Sequence, residues 1–486
     1  MENELRNSRL AKLARLREEN INPYPYRFDV SHKNKDLHEK YKDLENEVVT
    51  EDVVQVAGRI MSVRNSGMFI DMHDVTDKIQ IFTHLEGLDD EVYKILPNLD
   101  IGDHIGVEGV IRRTKRGELT VNTSRIWILT KTLLPLPEKY HGLQDIEVRY
   151  RQRYLDLIMN PESKERLRNR SKIVSSLRAY LTDLGFLEVE TPMLHPIPGG
   201  AAAKPFVTHH NTLDMDMFLR IAPELYLKRL VVGGLWDKVF EINRSFRNEG
   251  ISPRHNPEFT MMELYQSYAD YHDMMTLTEN IVSHLAEKVL GSTVVNYQGK
   301  EIDLKGPWAR KSMTELVLEK TGIDFLKLNV DEARQAVKSL HIAVDKNAPW
   351  GKCVELVFGE KVENSLIQPT HVIDLPFDIS PLAKVHQKDS RLTERFETYI
   401  NTWEIANAFS ELTDPIDQKA RLDAQVDARE GGDDEAHLMD HDFICALEYG
   451  LPPTGGLGIG IDRLIMILTD APSIRDVIAF PTLRKI

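Results

Sequence analysis

The chain opens on an amphipathic pattern. Leu5, Leu10, Leu13 and Leu16 recur among charged residues, and that spacing predicts a helix over roughly the first 20 residues. The NPYPY cluster from Asn22 to Tyr26 stops it. From about Val53 to Leu129 the period changes to alternation. VVQVAGRIMSVR, GMFIDMHD, KIQIFTH, DHIGVEGVIRR and ELTVNTSRIWIL read as five strands parted by Gly, Asn and Asp turns. Five short strands in so little chain predict a small closed barrel, of which the OB-fold is the commonest. A sandwich needs about seven.

Leu133 to Leu143 is a linker stiffened by Pro135 and Pro137. A helical pattern then runs from Pro161 to Leu184 and closes on Gly185. Beyond Phe186, strands and helices mix without regular βαβα alternation, which predicts an α+β domain whose antiparallel sheet is flanked by helices. The division expected is 1–50 as helix and lead-in, 51–132 as barrel, 133–148 as linker and 149–486 as the large domain. About 271–347 reads as a mostly helical insertion between two halves of the sheet.

Composition narrows the class. With 486 residues, 42% hydrophobic and 28% charged, the chain is a multidomain globular protein. Its net charge of −15 means that a polyanion partner must be held by local basic patches. Cys353 and Cys445 are the two cysteines. They exclude a disulfide scaffold and a cysteine-built zinc site, and fit a cytoplasmic protein. No apolar run reaches the ~18–20 residues of a membrane span.

Three segments carry chemistry. In Lys238 to Asp270, strand–loop–strand, Phe240, Ile242 and Phe246 share one face while Glu241, Asn243 and Arg247 share the other. Phe259, Met261, Glu263 and Tyr265 share a face of the second strand, able to hold an aromatic ring at one end and a cation at the other. A hairpin with a Phe/Tyr core and Glu–Arg salt bridges fits the same pattern. In Arg395 to Pro415, Glu397, Glu404 and Glu411 fall at sevens among apolar residues. Partly buried carboxylates need a cation, and Mg²⁺ takes one or two carboxylates plus phosphate oxygens. Asn407, Phe409 and Glu411 share a face but Glu404 has opposite parity, so a bulge must intervene if all act together. In Gly450 to Leu464, GLGIG lies too near the end of the sequence for a βαβ unit. It reads instead as a strand passing close to a ligand into a helix near Asp462, with Arg463 at a phosphate-favouring start. HLMDH, His437 to His441, reads as a surface helix.

In this order the segments resemble a class II aminoacyl-tRNA synthetase, and most closely the bacterial type of lysyl-tRNA synthetase. GFLEVETPML (Gly185 to Leu194) is similar to motif 1, FRNEGISPRHNPEF (Phe246 to Phe259) to motif 2 and GLGIGIDR (Gly456 to Arg463) to motif 3. PGGAAAKPF and APELYLKRL are similar to amino-acid-binding stretches. The resemblance implies an anticodon-binding OB-fold, an antiparallel catalytic sheet and a homodimer through motif 1 around Pro192.

It also implies roles. Arg247 bridges the ATP α-phosphate and the amino-acid carboxylate. Phe259 and Arg463 sandwich adenine, Glu249 joins the ATP site, and Arg254 and His255 hold the terminal phosphates. Glu397 and Glu404 coordinate Mg²⁺, up to three ions with ATP. Gly200 and Glu224 meet the α-amino end, with Asn407 and Gly458 close by. Glu263, Tyr265 and Glu411 grip the side-chain ammonium while Phe409 packs on its stem. Phe69, Gln80 and Glu118 meet anticodon bases of tRNA(Lys). Glu263 and Glu411 form a costly pair unless a guest ammonium fills the space between them, which favours L-lysine over aspartate or asparagine.

Overall fold

The computed structural model describes residues 2–83, 90–137, 143–432 and 437–485. Part of the linker Leu133 to Leu143 therefore lies outside the described residues. Two compact units divide the chain between Gln144 and Asp145.

In the first unit α1 (Glu2–Glu18) and α2 (Asn34–Lys40) precede β1 (Val49–Arg64), β2 (Phe69–His73), β3 (Lys78–Phe82), α3 (Asp90–Ile95), β4 (His104–Arg113) and β5 (Leu119–Thr130). The five strands close into a barrel in the order β1-β2-β3-β5-β4. Alternation explains the closure: Val54, Val56, Ile70, Met72, Ile79, Ile81, Ile105, Val107, Val121 and Ile128 all point into one core. Leu16 of α1 and Leu37 of α2 join that core, whereas Leu5 stays exposed. The register between β4 and β5 shifts at Gly109, where Ser124 is an extra residue in β5. A Cβ there would run into the carbonyl of Asn122.

The second unit begins with α4 (Ile146–Arg151), α5 (Arg153–Met159), α6 (Pro161–Asp183), β6 (Leu187–Glu188), β7 (Leu194–His195), β8 (Val207–His210), β9 (Met215–Leu219) and α7 (Glu224–Val232). The hairpin β10 (Lys238–Phe246) and β11 (Glu258–Ser267) leads to α8 (Tyr271–Leu290), β12 (Val294–Tyr297), β13 (Lys300–Asp303), β14 (Ala309–Ser312), α9 (Met313–Thr321), α10 (Val330–Ser339) and α11 (Trp350–Lys361). Then come β15 (Thr370–Ile373), β16 (Arg395–Ile400), β17 (Trp403–Ser410), α12 (Pro415–Glu430), α13 (His441–Glu448), β18 (Thr454–Gly460), α14 (Ile461–Leu468) and α15 (Ile474–Val477).

Eight strands form one sheet in the order β14-β15-β16-β17-β18-β11-β10-β6, antiparallel except at its two edges, where β14 pairs parallel to β15 and β6 to β10. One face is packed by α6, α8 and α14 through Phe240, Met262, Leu264, Phe396, Ala406, Ala408, Leu457 and Ile459. The residues between them point the other way. Within 271–347 the helices α8, α9 and α10 enclose three short strands. Four-residue strands give too brief an alternation to stand out between long helices, yet β14 extends the main sheet and β12–β13 form a hairpin over Gln298 and Gly299, both at positive φ.

Replacing Gly109 by alanine should destabilise the barrel by about 1–3 kcal/mol, because the added methyl meets backbone rather than a side chain that can turn away. Denaturant unfolding of the full chain measures this, and an unchanged midpoint would contradict the close approach.

Candidate active site

Pleat geometry makes the site. On the face opposite the core, β11 presents Phe259, Met261, Glu263 and Tyr265, β16 presents Glu397, β17 presents Asn407 and Phe409, and β18 presents Gly456 and Gly458. The cross-strand register aligns them: Glu263 is opposite Gly458, Gly458 opposite Asn407, and Asn407 opposite Glu397. They floor one cavity of about 710 Å³. Gly200, Glu224, Arg247, Glu249, Arg254, His255, Glu404, Glu411 and Arg463 complete its lining together with them. Every amino-acid-, ATP- and metal-site residue expected from sequence thus borders one space.

The parity problem of Glu404 has a local answer. Thr398 pairs with Ala406 and Tyr399 with Glu404, so Ile405 is an extra residue in β17. This bulge turns Glu404 to the cavity side beside Asn407. The glycines of β18 are required by approach: a Cβ on Gly456 would overlap Glu411 Oε1 and lie 2.7 Å from the Tyr265 ring.

At one end of the cavity three carboxylates gather: Glu224, Glu263 and Glu411, all buried. The Tyr265 hydroxyl donates to Glu263 Oε2 at 3.3 Å. Burial first, and then Glu224, push the Glu263 carboxyl up to about 8, against the pull of Arg220 and Arg247. Arg220 is itself engaged by Glu241 at 2.9 Å. Both carboxylate oxygens of Glu411 are buried without a hydrogen-bond partner among the described residues, Oε2 being held only by an ion pair. The expected pairing of Glu263 with Glu411 across an otherwise empty gap needs correction. Lys228 of α7, wholly buried, is ion-paired to Glu411 Oε2 and lies 2.5 Å from Glu224 Oε1. Two of the three acids already share a cation from the same chain.

At the other acidic group, Glu397 Oε1 accepts from Arg395 at 2.7 Å and Oε2 accepts from the Tyr399 hydroxyl at 2.8 Å. Burial pushes its carboxyl up to about 7; Arg395 opposes the shift and Glu404 adds to it. Arg395 also donates to Asn407 Oδ1 at 3.0 Å, so one guanidinium orients both residues. Glu404 faces Arg463, 3.6 Å away. Arg463 also donates to the Glu404 carbonyl at 2.8 Å and lies 3.1 Å from His255 Nε2. The loop after β10 is braced by Ser252, whose hydroxyl meets His255 Nδ1 at 2.8 Å and accepts from the Arg254 amide at 3.1 Å. The Arg254 guanidinium lies 5.2 Å from the Trp403 ring. Asp462 accepts from the Thr260 amide at 2.6 Å and fixes the start of α14 against β11.

Arg247 stands apart from these pairs. Its guanidinium lies 5.2 Å from the Phe259 ring, and its buried Nε has no hydrogen-bond partner among the described residues. A free cation beside an aromatic ring, with acids on either side, suits an anion joined to a planar base.

A model of class II tRNA synthetases (D, K and N) matches residues 145–484, and one of the OB-fold nucleic acid binding domain matches residues 36–129. Lysine–tRNA ligase of Sinorhizobium medicae is 57% identical over 98% of this chain and 96% of its own length. The enzymes of that name from Rhizobium meliloti and Carboxydothermus hydrogenoformans are 56% and 54% identical, over 98% and 99% of this chain and 96% and 98% of their own. The chain belongs to the class II tRNA synthetases of the D, K and N group.

In this synthetase the barrel residues singled out from sequence lie on β2, on β3 and just before β5. Phe69 faces Phe82 with ring centroids 5.0 Å apart, Gln80 accepts from Thr120 at 3.1 Å, and Glu118 is exposed. Sequence reasoning missed Phe82 and Arg112, whose guanidinium lies 4.0 Å over the Phe82 ring. It also missed Arg395, which the two-residue spacing to Glu397 on one strand face could have revealed, and Lys228, four residues from Glu224 on one helix.

HLMDH is not a surface helix. α13 begins only at His441, Asp440 caps it, and His437 is buried in the cavity wall. Burial, with Lys228 nearby, lowers the His437 imidazole to about 4. A histidine neutral in the fold but charged when unfolded makes stability rise with pH. Its contribution is complete above about pH 6.5 and is lost as pH falls toward 4, by up to about 1.4 kcal/mol per pH unit. Changing His437 to methionine should reduce that slope by about one proton. Denaturant titrations of both proteins between these pH values measure it; identical slopes would refute the buried neutral imidazole.

Proposed function

We propose that this synthetase is a lysine–tRNA ligase, activating L-lysine with ATP and transferring it to the 3′-terminal ribose of tRNA(Lys). The observation that carries the choice of amino acid is a cation deficit. Three buried carboxylates border one end of the cavity, one ammonium of the chain lies behind them, and Glu411 Oε1 has neither a hydrogen-bond nor an ion-pair partner among the described residues. An aspartate side chain would worsen that deficit, an asparagine side chain would leave it in place, and a lysine ammonium removes it. The high identity to lysine–tRNA ligases over nearly the whole chain supports the same reading.

The chemistry follows from charge. The lysine carboxylate, ionised at neutral pH, attacks the α-phosphorus in line and pyrophosphate leaves. The ribose hydroxyl then attacks the adenylate carbonyl and AMP leaves. Arg247, whose buried Nε has no hydrogen-bond partner among the described residues, holds the attacking carboxylate and the α-phosphate together and offsets charge growing on the phosphoryl oxygens. Phe259 offers its face to adenine, with Arg463 on the other side and Glu249 at the rim. Arg254 and His255 receive the terminal phosphates. Gly200, Glu224 and Asn407 orient the amino-acid backbone, Gly458 leaves room beside it, and Phe409 packs on the aliphatic stem. Glu263, Tyr265 and Glu411 take the ammonium.

The residues fit Mg²⁺ as well. Glu397, with its carboxyl raised by burial and by Glu404, lacks a cation beyond Arg395. Glu397 and Glu404 would hold Mg²⁺, and it would supply charge neutralisation at the phosphates. The exposed outer face of the barrel around Phe69, Gln80 and Glu118 would meet the anticodon, and Pro192 would lie at a homodimer interface. No helix among the described residues is long and apolar enough to cross a membrane; a cytoplasmic location accords with both substrates.

Amino-acid-dependent pyrophosphate exchange across all twenty amino acids tests the reading: lysine alone should support it, and exchange with aspartate or asparagine would overturn it. Arg247→Ala should lose about 3 kcal/mol or more of transition-state stabilisation, read as kcat/KM in the same assay. The proton on Glu263 gives a third check. Below about pH 8 the guest ammonium must displace that proton, so KM for lysine should fall as pH rises to 8, by up to about tenfold per unit, and then level. KM for ATP should not follow. Glu263→Gln should flatten the lysine profile, and a wild-type profile already flat would remove Glu263 from the pocket's chemistry.

A further inference from the structure

Lys228 is the least expected residue of the molecule. It lies on α7 among the buried Leu225, Leu227 and Val231, a face where an apolar side chain would pack at no electrostatic cost. Its side chain has no solvent access, and an ammonium in such surroundings is tolerated only with close counter-charges. It has two, Glu224 one helical turn away and Glu411 after β17. The Tyr265, Phe409 and Phe443 rings lie 5.9, 5.4 and 5.9 Å from its nitrogen.

Lys228 does not border the cavity, whereas Glu224, Glu411, Tyr265 and Phe409 all do. Its ammonium therefore sits behind the wall and touches the backs of the residues that face the guest. An ion pair kept for stability alone has no reason to choose those partners, since a well-packed apolar pair of similar volume is often as stable. The two ion pairs divide the oxygens: Lys228 faces Oε1 of Glu224 and Oε2 of Glu411, while Glu411 Oε1, close to Gly456, has no ion-pair partner among the described residues. We propose that Lys228 is a positioning residue for amino-acid selection, a resident ammonium that clamps Glu224 and Glu411 from behind so that Glu411 Oε1 awaits the ammonium of the substrate. The proposal rests on the lysine reading of the pocket.

Without Lys228 the Glu411 carboxylate would lose both its anchor and its main electrostatic support against burial. The groups that would then act on it are Glu224 of α7 and Glu263 and Tyr265 of β11. All of them are acidic or neutral. Lysine would have to expel a more tightly held proton, so its use would move to higher pH, while the ATP end of the cavity would be untouched.

The test is lysine-dependent pyrophosphate exchange with the full chain, wild type against Lys228→Met and Lys228→Ala, with folding followed by thermal melting. For the methionine variant, KM for lysine should rise about 30-fold or more, with KM for ATP within about twofold and the kcat/KM profile for lysine displaced to higher pH. Propylammonium, which replaces the atoms removed in Lys228→Ala, should lower that variant's KM for lysine, after correction for its effect on the wild type. A folded methionine variant with KM for lysine within about twofold of wild type, or with both KM values raised equally, would overturn the proposal. If the variants fold only with propylammonium, KM for lysine falling as the amine is added supports the clamp and a constant KM refutes it. If they fold under neither condition, Lys228 is a structural partner and the proposal fails. Absence of lysine-dependent exchange in the wild type would instead defeat the functional reading itself.

Discussion

Buried carboxylate without enough cation is the constraint around which the catalytic unit is organised. Glu224, Glu263 and Glu411 at one end of the cavity, and Glu397 at another beside the more exposed Glu404, lie where water screens them poorly or in part. Burial raises Glu263 and Glu397 far above the ordinary carboxylate range. Such an arrangement costs folding free energy in the ligand-free chain, and the cost is recovered only when cations arrive. Specificity follows from the same term. A ligand is selected by whether it brings positive charge to the places left short of it, more than by the area it covers.

The sheet makes this possible because it is amphipathic in an unusual sense. One face is filled by α6, α8 and α14 and supplies the cohesion of the unit. The other face can therefore carry glutamates and glycines that would be destabilising in an ordinary strand. Leu457 and Ile459 anchor β18 from beneath, so Gly456 and Gly458 can leave space above. Ala406 and Ala408 do the same for Asn407 and Phe409. A strand of period two allows structural and functional residues to be specified almost independently.

That independence explains what could be read in the sequence. The barrel strands were legible because each alternates cleanly for five residues or more, and the faces of β11, β17 and β18 because one member of every pair is apolar. The bulge at Ile405 was not legible. Parity required an insertion near Glu404, but its exact place is set by the register of β17 against the preceding strand β16, which the apolar–polar pattern of β17 alone does not carry. Lys228 was hidden for a related reason. On α7 it reads as a solvent-facing lysine between leucines, and its partner Glu411 lies 183 residues further along the chain. His437 misled because histidines four apart suggest one helix face, whereas the Asp440 cap puts the helix start at the second of them.

Arg247 lines the same cavity, its buried Nε without a hydrogen-bond partner among the described residues, and is near enough to Glu263 to oppose the rise in its carboxyl. The free cavity thus holds a cation among acids short of cations. Lysine is the inverse of part of that pattern, an ammonium separated by an aliphatic stem from a carboxylate, and a metal-bound nucleotide is the inverse of the rest. Each substrate alone would satisfy one acidic group and share Arg247. On the proposed reading, only the two together would neutralise both ends while bringing carboxylate and α-phosphate to one guanidinium. The arrangement that makes the empty site costly is therefore the same one that favours filling it with both reactants at once.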